Sequence, residues 1–195
     1  MNQEIEIEFK NILTKTEFEQ LRDHFQLDNV FLRQVNHYFD TQKFDLKSKG
    51  AALRIREKNK KQVLTLKQPH QEGLLETHQY LSHSEANNMI ETGQLPKGDI
   101  QNILTHSGIK ETKLQYLGSL TTDRAQISFK NGELVLDHSY YFDKDDYELE
   151  YEATDAKSGK EIFNQLLSQF HIPSRETKNK IRRFFETKKS MEDTK

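Results

Sequence analysis

The chain has no cysteine and no tryptophan, and only three prolines among its 195 residues. Without cysteine there are no disulfides, thiolate nucleophiles or cysteine-bound zinc sites, so a metal would rest on carboxylates and histidines, and mainly on oxygen. No apolar run of about 18 residues exists, and the first residues show no apolar signal region after a basic start. A cytoplasmic protein without a membrane partner is therefore expected. An excess of one charge is missing too: 29 Lys and Arg meet 31 Asp and Glu, for a net charge of -2. No global field then draws nucleic acid or an anionic surface, and a nucleic-acid partner is not expected. Apolar residues make up 33% of the chain and the mean hydropathy is -0.91. Even so, 12 Phe and 7 Tyr are too many for a disordered chain. The protein folds around little apolar material, and local arrangements of charge must carry its function.

The length fits one domain, taken here as residues 1–189 with 190–195 as a flexible tail. Near the start, EIEIEFK puts Glu4, Glu6, Glu8 and Lys10 on one face of a strand, with Ile5, Ile7 and Phe9 on the other. TKTEFEQLRDHF places Phe18, Leu21 and Phe25 at helical spacing, with Thr14 or Thr16 as the cap. A strand follows at 31–41, where Gln34, Asn36, Tyr38 and Asp40 share a side. After KSKG turn material come three short strands, AALRIREK, KQVLTLKQ and GLLETHQYL. Two small helices fit between Ser82 and Gly108. Three strands then fit 114–130, 133–142 and 146–153, with an Asn-Gly hairpin signal between the first two. An amphipathic helix with Ile162, Leu166, Leu167 and Phe170 on one stripe and a basic helix, TKNKIRRFFETKK, complete the chain.

About eight strands in mostly antiparallel order predict an α+β domain whose sheet can close into a barrel. The polar faces repeat the design of the first strand. Arg54, Arg56 and Lys58 alternate with Leu53 and Ile55, and Thr65 and Lys67 with Leu64 and Leu66. Glu76 and His78 share a face, as do Arg124 and Lys130; Asp137 opposes Leu136; Glu148, Glu150 and Glu152 oppose Leu149, Tyr151 and Ala153. Acidic strands lie at the two ends and basic strands between them. In an open sheet such a face is simply wet. In a closed tube the charges are costly to desolvate unless they bind one another, water or a ligand. Three consecutive same-face glutamates gain nothing on a wet strand, where like charges repel. A multivalent anion with a divalent cation would satisfy both signs.

These residues resemble the CYTH superfamily, the triphosphate tunnel metalloenzymes, and the layout looks most like its small bacterial members. The ExExK signature is Glu6, Glu8 and Lys10; YFDT, LRIR, LTLK, the glutamate of LLETHQY, the arginine of TTDRAQISF, the aspartate of LVLD, ELEYE and a late lysine in NKIRRF follow in order. The resemblance implies an eight-stranded antiparallel β-barrel, or tunnel, with flanking helices. It implies Mg²⁺ or Mn²⁺ on Glu6, Glu8, Glu150 and Glu152, supported by Glu148, with Asp137 holding either a metal water or a basic side chain. Lys10, Arg54, Arg56, Lys67, Arg124 and Lys180 would grip phosphate oxygens. Lys10 and Lys67 would also neutralise charge during transfer, and Glu76 would orient the attacking water, hold a second metal or simply form a salt bridge with a neighbouring arginine. The family lysine usually follows a serine; here Lys178, Lys180 and Arg182 are alternatives, with Lys180 favoured. His78 is expected at the surface or in a hydrogen bond rather than as a ligand. The implied activity is metal-dependent hydrolysis of inorganic triphosphate or a small organic triphosphate, by a monomer or homodimer. A class IV adenylyl cyclase and a non-catalytic polyphosphate- or nucleotide-binding module are the rival expectations.

Overall fold

The computed structural model describes residues 2–192. In chain order it contains β1 (Asn2–Leu13), α1 (Lys15–His24), β2 (Leu32–Asp40), α2 (Asp45–Ser48), β3 (Ala52–Lys58), β4 (Lys61–His70) and β5 (Gly73–Leu81). Then follow α3 (His83–Thr92), α4 (Asp99–His106), β6 (Gln115–Phe129), β7 (Gly132–Tyr141), β8 (Lys144–Ala153), α5 (Ala156–Gln169) and α6 (Lys180–Glu192). The strands form a closed antiparallel barrel in the order β1-β5-β4-β3-β2-β6-β7-β8, as expected. The chain groups into two compact units, Met1–Glu6 with Gln34–Ser119 and Ile7–Arg33 with Leu120–Lys195, so β1 contributes to both.

In the first unit the odd-numbered positions of β2 and β3 and the even-numbered ones of β4 carry the core. Phe39, Leu53, Ile55, Leu64 and Leu66 pack against Leu46 of α2, Ala86 and Met89 of α3, and Ile100 and Leu104 of α4. Truncating one such leucine to alanine costs about 2–5 kcal/mol through lost transfer energy and the cavity left behind. Ser82 caps α3 in a reciprocal box with Glu85. Gly93 closes that helix at φ +75°, where a Cβ would lie 1.9 Å from the Leu114 carbonyl oxygen, so both the left-handed backbone and the close approach demand glycine.

Helix α2 occupies residues expected as plain turn. Its cause lies upstream, in YFDT: the buried Asp40 carboxylate accepts backbone N–H bonds from Thr41 at 2.7 Å, Leu46 at 2.9 Å and Lys47 at 3.0 Å. Three otherwise unsatisfied donors are thereby collected by one side chain.

In the second unit Leu134, Leu136, Leu149, Tyr151 and Ala125 pack against Phe18 and Leu21 of α1 and Phe163, Leu166, Leu167 and Phe170 of α5. Thr14 is the N-cap of α1, in a box with Glu17. The β6–β7 hairpin closes on the pair Phe129↔Gly132, with Lys130 in the left-handed region at φ 51°. Gly132 therefore opens β7, where a Cβ would meet the Glu152 carbonyl oxygen at 2.3 Å. The last helix starts at Lys180 and runs on to Glu192. It thus includes the first residues of the segment expected as a tail, whose residues 193–195 lie outside the described residues. In both units the helices cover the apolar strand face, and the charged face is the one the barrel encloses.

Candidate active site

In an antiparallel ladder, directly opposed residues project to the same side. The registers of the first unit therefore put Tyr38 beside Arg54 and Asn36 beside Arg56. They put Arg54 beside Thr65, Lys67 beside Glu76 and Thr65 beside His78, and Glu76 beside Glu4. Lys67 Nζ lies 2.6 Å from Glu6 and is also ion-paired with Glu76. Glu76 is buried; burial alone would raise its pKa, but Lys67 and Arg54 outweigh it and hold the carboxyl at about 2. It is ionised at every neutral pH. Arg56 Nε donates to Asn36 at 3.0 Å. Arg54 differs: its buried Nε–H has no hydrogen-bond partner among the described residues. Such a donor costs about 1–3 kcal/mol when left unmade.

In the second unit Glu8 opposes Glu152, Lys10 opposes Glu150, and Asp137 opposes both Arg124 and Glu148. Lys10 Nζ lies 2.6 Å from Glu8. Burial works against its charge, yet Glu8, Glu150 and Glu148 raise its pKa above the ordinary lysine value. Arg124 donates through Nε and Nη2 to the two oxygens of Asp137 at 2.8 and 2.7 Å, and through Nη2 to Glu150 at 2.6 Å. Its Nη1 is 3.7 Å from Glu152.

Of the three late candidates, Lys180 is the one that reaches this face. Its ammonium lies 2.9 Å from Asp137 and is paired with Glu148 and Glu150. Lys178 and Arg182 instead pair with Glu186 at 2.9 and 3.2 Å. Arg183, which the sequence reading missed, stands one helical turn after Lys180 and bridges Glu148 at 2.6 Å and Asp146 at 2.8 Å. Its i+3 spacing from Lys180 was the available signal.

Burying an ion costs several kcal/mol, and the cluster offsets this by pairing its carboxylates with Arg124, Lys180 and Arg183. The carboxylates differ in consequence. Burial pushes Glu148 up to about 7 despite Lys180, with Glu150 adding to the shift. Against the same burial, Lys180 and Arg124 hold Glu150 well below the usual carboxylate range. Lys180 and Arg124 are in turn held above their ordinary values, against burial, by Asp137 and its neighbouring glutamates.

The six expected metal ligands separate into two kinds of surroundings. Glu6 and Glu8 are same-face neighbours on β1, and Glu152 stands across the ladder from Glu8. Carboxylate oxygens suit a hard divalent cation such as Mg²⁺ or Mn²⁺. Glu148, Glu150 and Asp137 are paired with Arg124 and Lys180 in the buried ion cluster. His78 is hydrogen-bonded, through Nδ1 to Thr65 at 3.0 Å and Nε2 to Glu4 at 2.9 Å.

The CYTH domain family model matches residues 4–185. A Bacillus subtilis (strain 168) chain named "Putative triphosphatase YjbK" is 53% identical over 190 residues, covering 97% of this chain and 98% of that relative. A Bacillus halodurans structure described as "a putative adenylate cyclase" is 43% identical with a TM-score of 0.91, covering 95% of this chain and 100% of that one. A Hippeastrum protein, HpAC1, described as a "putative adenylyl cyclase" that "reveals a dominant triphophatase activity", is 25% identical with a TM-score of 0.80; the match covers 94% of this chain and 96% of that one.

Proposed function

The chain belongs to the CYTH domain family, and we propose that this protein is a metal-dependent triphosphatase acting on inorganic triphosphate or a small organic triphosphate. The observation that carries the reading is the pairing of opposite charges on the enclosed strand face: Glu8 and Glu152 meet across one ladder, with Lys10 on the first and Arg124 close to the second. Carboxylates there suit a cation, and the cations beside them suit the phosphates that cation would bring. The names of the Bacillus subtilis and Hippeastrum proteins support the same reaction class.

Glu6, Glu8 and Glu152 hold Mg²⁺ or Mn²⁺ in this reading. Glu150 and Glu148, with Asp137, fix Arg124 and Lys180 in place. A bound divalent ion supplies charge neutralisation on phosphate oxygens and can activate water. The protein's own part is positioning and electrostatics, which dominate phosphoryl transfer. Arg54 and Arg56 grip phosphate oxygens, the first through its unpartnered Nε–H. Lys10, Lys67, Arg124 and Lys180 exchange part of their carboxylate pairing for phosphate contacts as the anion enters. Glu76, ionised throughout, orients water by accepting its hydrogen bond while steadying Lys67; its depressed pKa makes it a poor proton acceptor, so orientation is its contribution.

The test is phosphate release from inorganic triphosphate, ATP and thiamine triphosphate with Mg²⁺, Mn²⁺ or EDTA, with cyclic AMP assayed in the ATP reaction. Metal-dependent phosphate release that EDTA abolishes supports the reading. Cyclic AMP as the main product would replace it with a cyclase, and tight triphosphate binding without turnover with a binding module.

A further inference from the structure

On the first unit's enclosed face, β5 and β1 bring together three side chains that the proposed reaction leaves partly unused. Glu4 opposes Glu76 in the ladder, and His78 follows Glu76 on the same face of β5. A possible ligand atom from each of Glu4, Glu76 and His78 lies within 4.8 Å of the others. His78 Nε2 is 2.9 Å from Glu4 and 3.6 Å from Glu76 Oε2. Ligand atoms bound to one ion at about 2.1 Å, at angles between octahedral and tetrahedral, stand about 3.0–3.4 Å apart. Both histidine distances lie close to that spacing, and the exposed Glu4 has room to adjust.

The imidazole is also prepared on its other side. Thr65 Oγ1 lies 3.0 Å from His78 Nδ1, so the ring can donate its Nδ1–H there and point Nε2 at the carboxylates. A metal-ligating histidine characteristically makes such a bond, which fixes the tautomer and ring orientation. Glu76 is similarly divided: Oε1 is paired with Lys67, while Oε2 faces His78.

We propose that His78, Glu76 and Glu4 form a second cation site, separate from the all-oxygen group of Glu6, Glu8 and Glu152, that takes a borderline divalent ion such as Zn²⁺ or Co²⁺. One nitrogen and two carboxylate oxygens favour these ions over Mg²⁺ or Ca²⁺. Binding replaces the contact between Nε2 and Glu4 with a contact from each to the cation. Because Glu76 also holds Lys67, loading the site weakens the Glu76–Lys67 pair and leaves Lys67 with Glu6. The site therefore gives a borderline ion a direct hold on one of the phosphate-binding lysines.

The experiment uses the full chain stripped of metal. Co²⁺ is titrated while its visible bands and the paramagnetically shifted imidazole N–H resonance are followed, in the wild type, Glu8→Gln, His78→Gln and Glu4→Gln. The expected result is an imidazole-ligated Co²⁺ in the wild type and in Glu8→Gln, lost in His78→Gln and weakened by at least about tenfold in Glu4→Gln. The proposal is overturned by an imidazole signal that persists in His78→Gln, by its absence from the wild type, or by unchanged affinity in Glu4→Gln. Glu4 is exposed, so its variant tests the site even where His78→Gln does not fold. The readout is binding, and it stands whatever reaction the protein catalyses.

Discussion

Arg124 lies along Asp137 in a two-point bond, Nε and Nη2 donating to separate oxygens at 2.8 and 2.7 Å. The two residues face each other directly across the β6–β7 ladder, and Asp137 is fully buried. Removing the guanidinium leaves Asp137 dependent on Lys180, and Glu150 on Lys180 and the more distant Lys10. Arg124→Ala is expected to lose about 3–5 kcal/mol of stability, the usual cost of breaking a buried pair from one side. Arg124→Lys keeps the charge but gives up the fork, and should fall between the two. Urea unfolding of the three proteins measures this; equal midpoints would place the pair outside the fold's energetics.

Glutamates on one face need not respond alike. Glu8 is paired with Lys10 near the accessible carboxylate group, whereas Glu150 is buried between Arg124 and Lys180. Glu8→Gln should reduce metal-dependent phosphate release by roughly 100-fold or more while leaving the melting temperature within a few degrees, because about 3 kcal/mol of transition-state stabilisation corresponds to that rate. Glu150→Gln should lower both, since it strands two buried cations. Activity and melting measured on the same preparations separate the cases, and full turnover in Glu8→Gln would remove that residue from the metal site.

For Arg54 the signs oppose. Its buried Nε–H has no partner among the described residues, so Arg54→Met removes an unmet donor rather than a satisfied one. That gain is set against the loss of a cation that helps hold buried Glu76 ionised, so stability should change little, while the Michaelis constant for triphosphate rises roughly 10- to 100-fold, the equivalent of one charge-assisted hydrogen bond of about 1.5–3 kcal/mol. An unchanged Michaelis constant would place the guanidinium away from the substrate.

Much of this arrangement is legible in the sequence because a strand has a period of two. Once Arg54, Lys67, Glu76, Arg124 and Glu150 are assigned to strands, their common face follows from parity alone. Which carboxylate each cation takes does not follow. Lys67 pairs with Glu6 across 61 positions, and only the strand order makes them neighbours. Arg183 was hidden for another reason: an arginine beside Arg182 and Lys180 reads as one more charge on a solvated helix, and its turn toward Glu148 depends on how α6 packs. Helix α2 was hidden because its cap, Asp40, precedes its first residue by five positions, outside the spacing of an ordinary N-cap.

Acid should expose the Glu76–Lys67 pair. Glu76 has a pKa of about 2 in the fold against an ordinary carboxyl value of 4.5, so between those values the unfolded chain binds a proton that the folded chain does not. Stability conferred by this group is complete above about 4.5 and is lost as pH falls toward 2. Glu76→Gln should therefore show a shallower loss of unfolding free energy than the wild type over that window. Identical slopes in denaturant titrations at stepped pH would assign the acid sensitivity to other carboxylates.

Asp40 offers a test that separates architecture from chemistry within the YFDT stretch. Tyr38 faces Arg54 on the enclosed side, but Asp40 spends both carboxylate oxygens on the backbone of Thr41, Leu46 and Lys47. Burial raises its pKa, and the three N–H donors oppose that shift. Asp40→Ala removes the acceptor for all three donors and should cost about 1–3 kcal/mol, at or above the upper end for an ordinary cap. Asp40→Asn retains one acceptor oxygen and should recover part of the loss. If Asp40 is architectural, the triphosphate Michaelis constant of folded Asp40→Asn stays within about twofold of wild type while its melting temperature falls. A large change in the Michaelis constant with no change in melting would instead put Asp40 among the groups that meet the substrate.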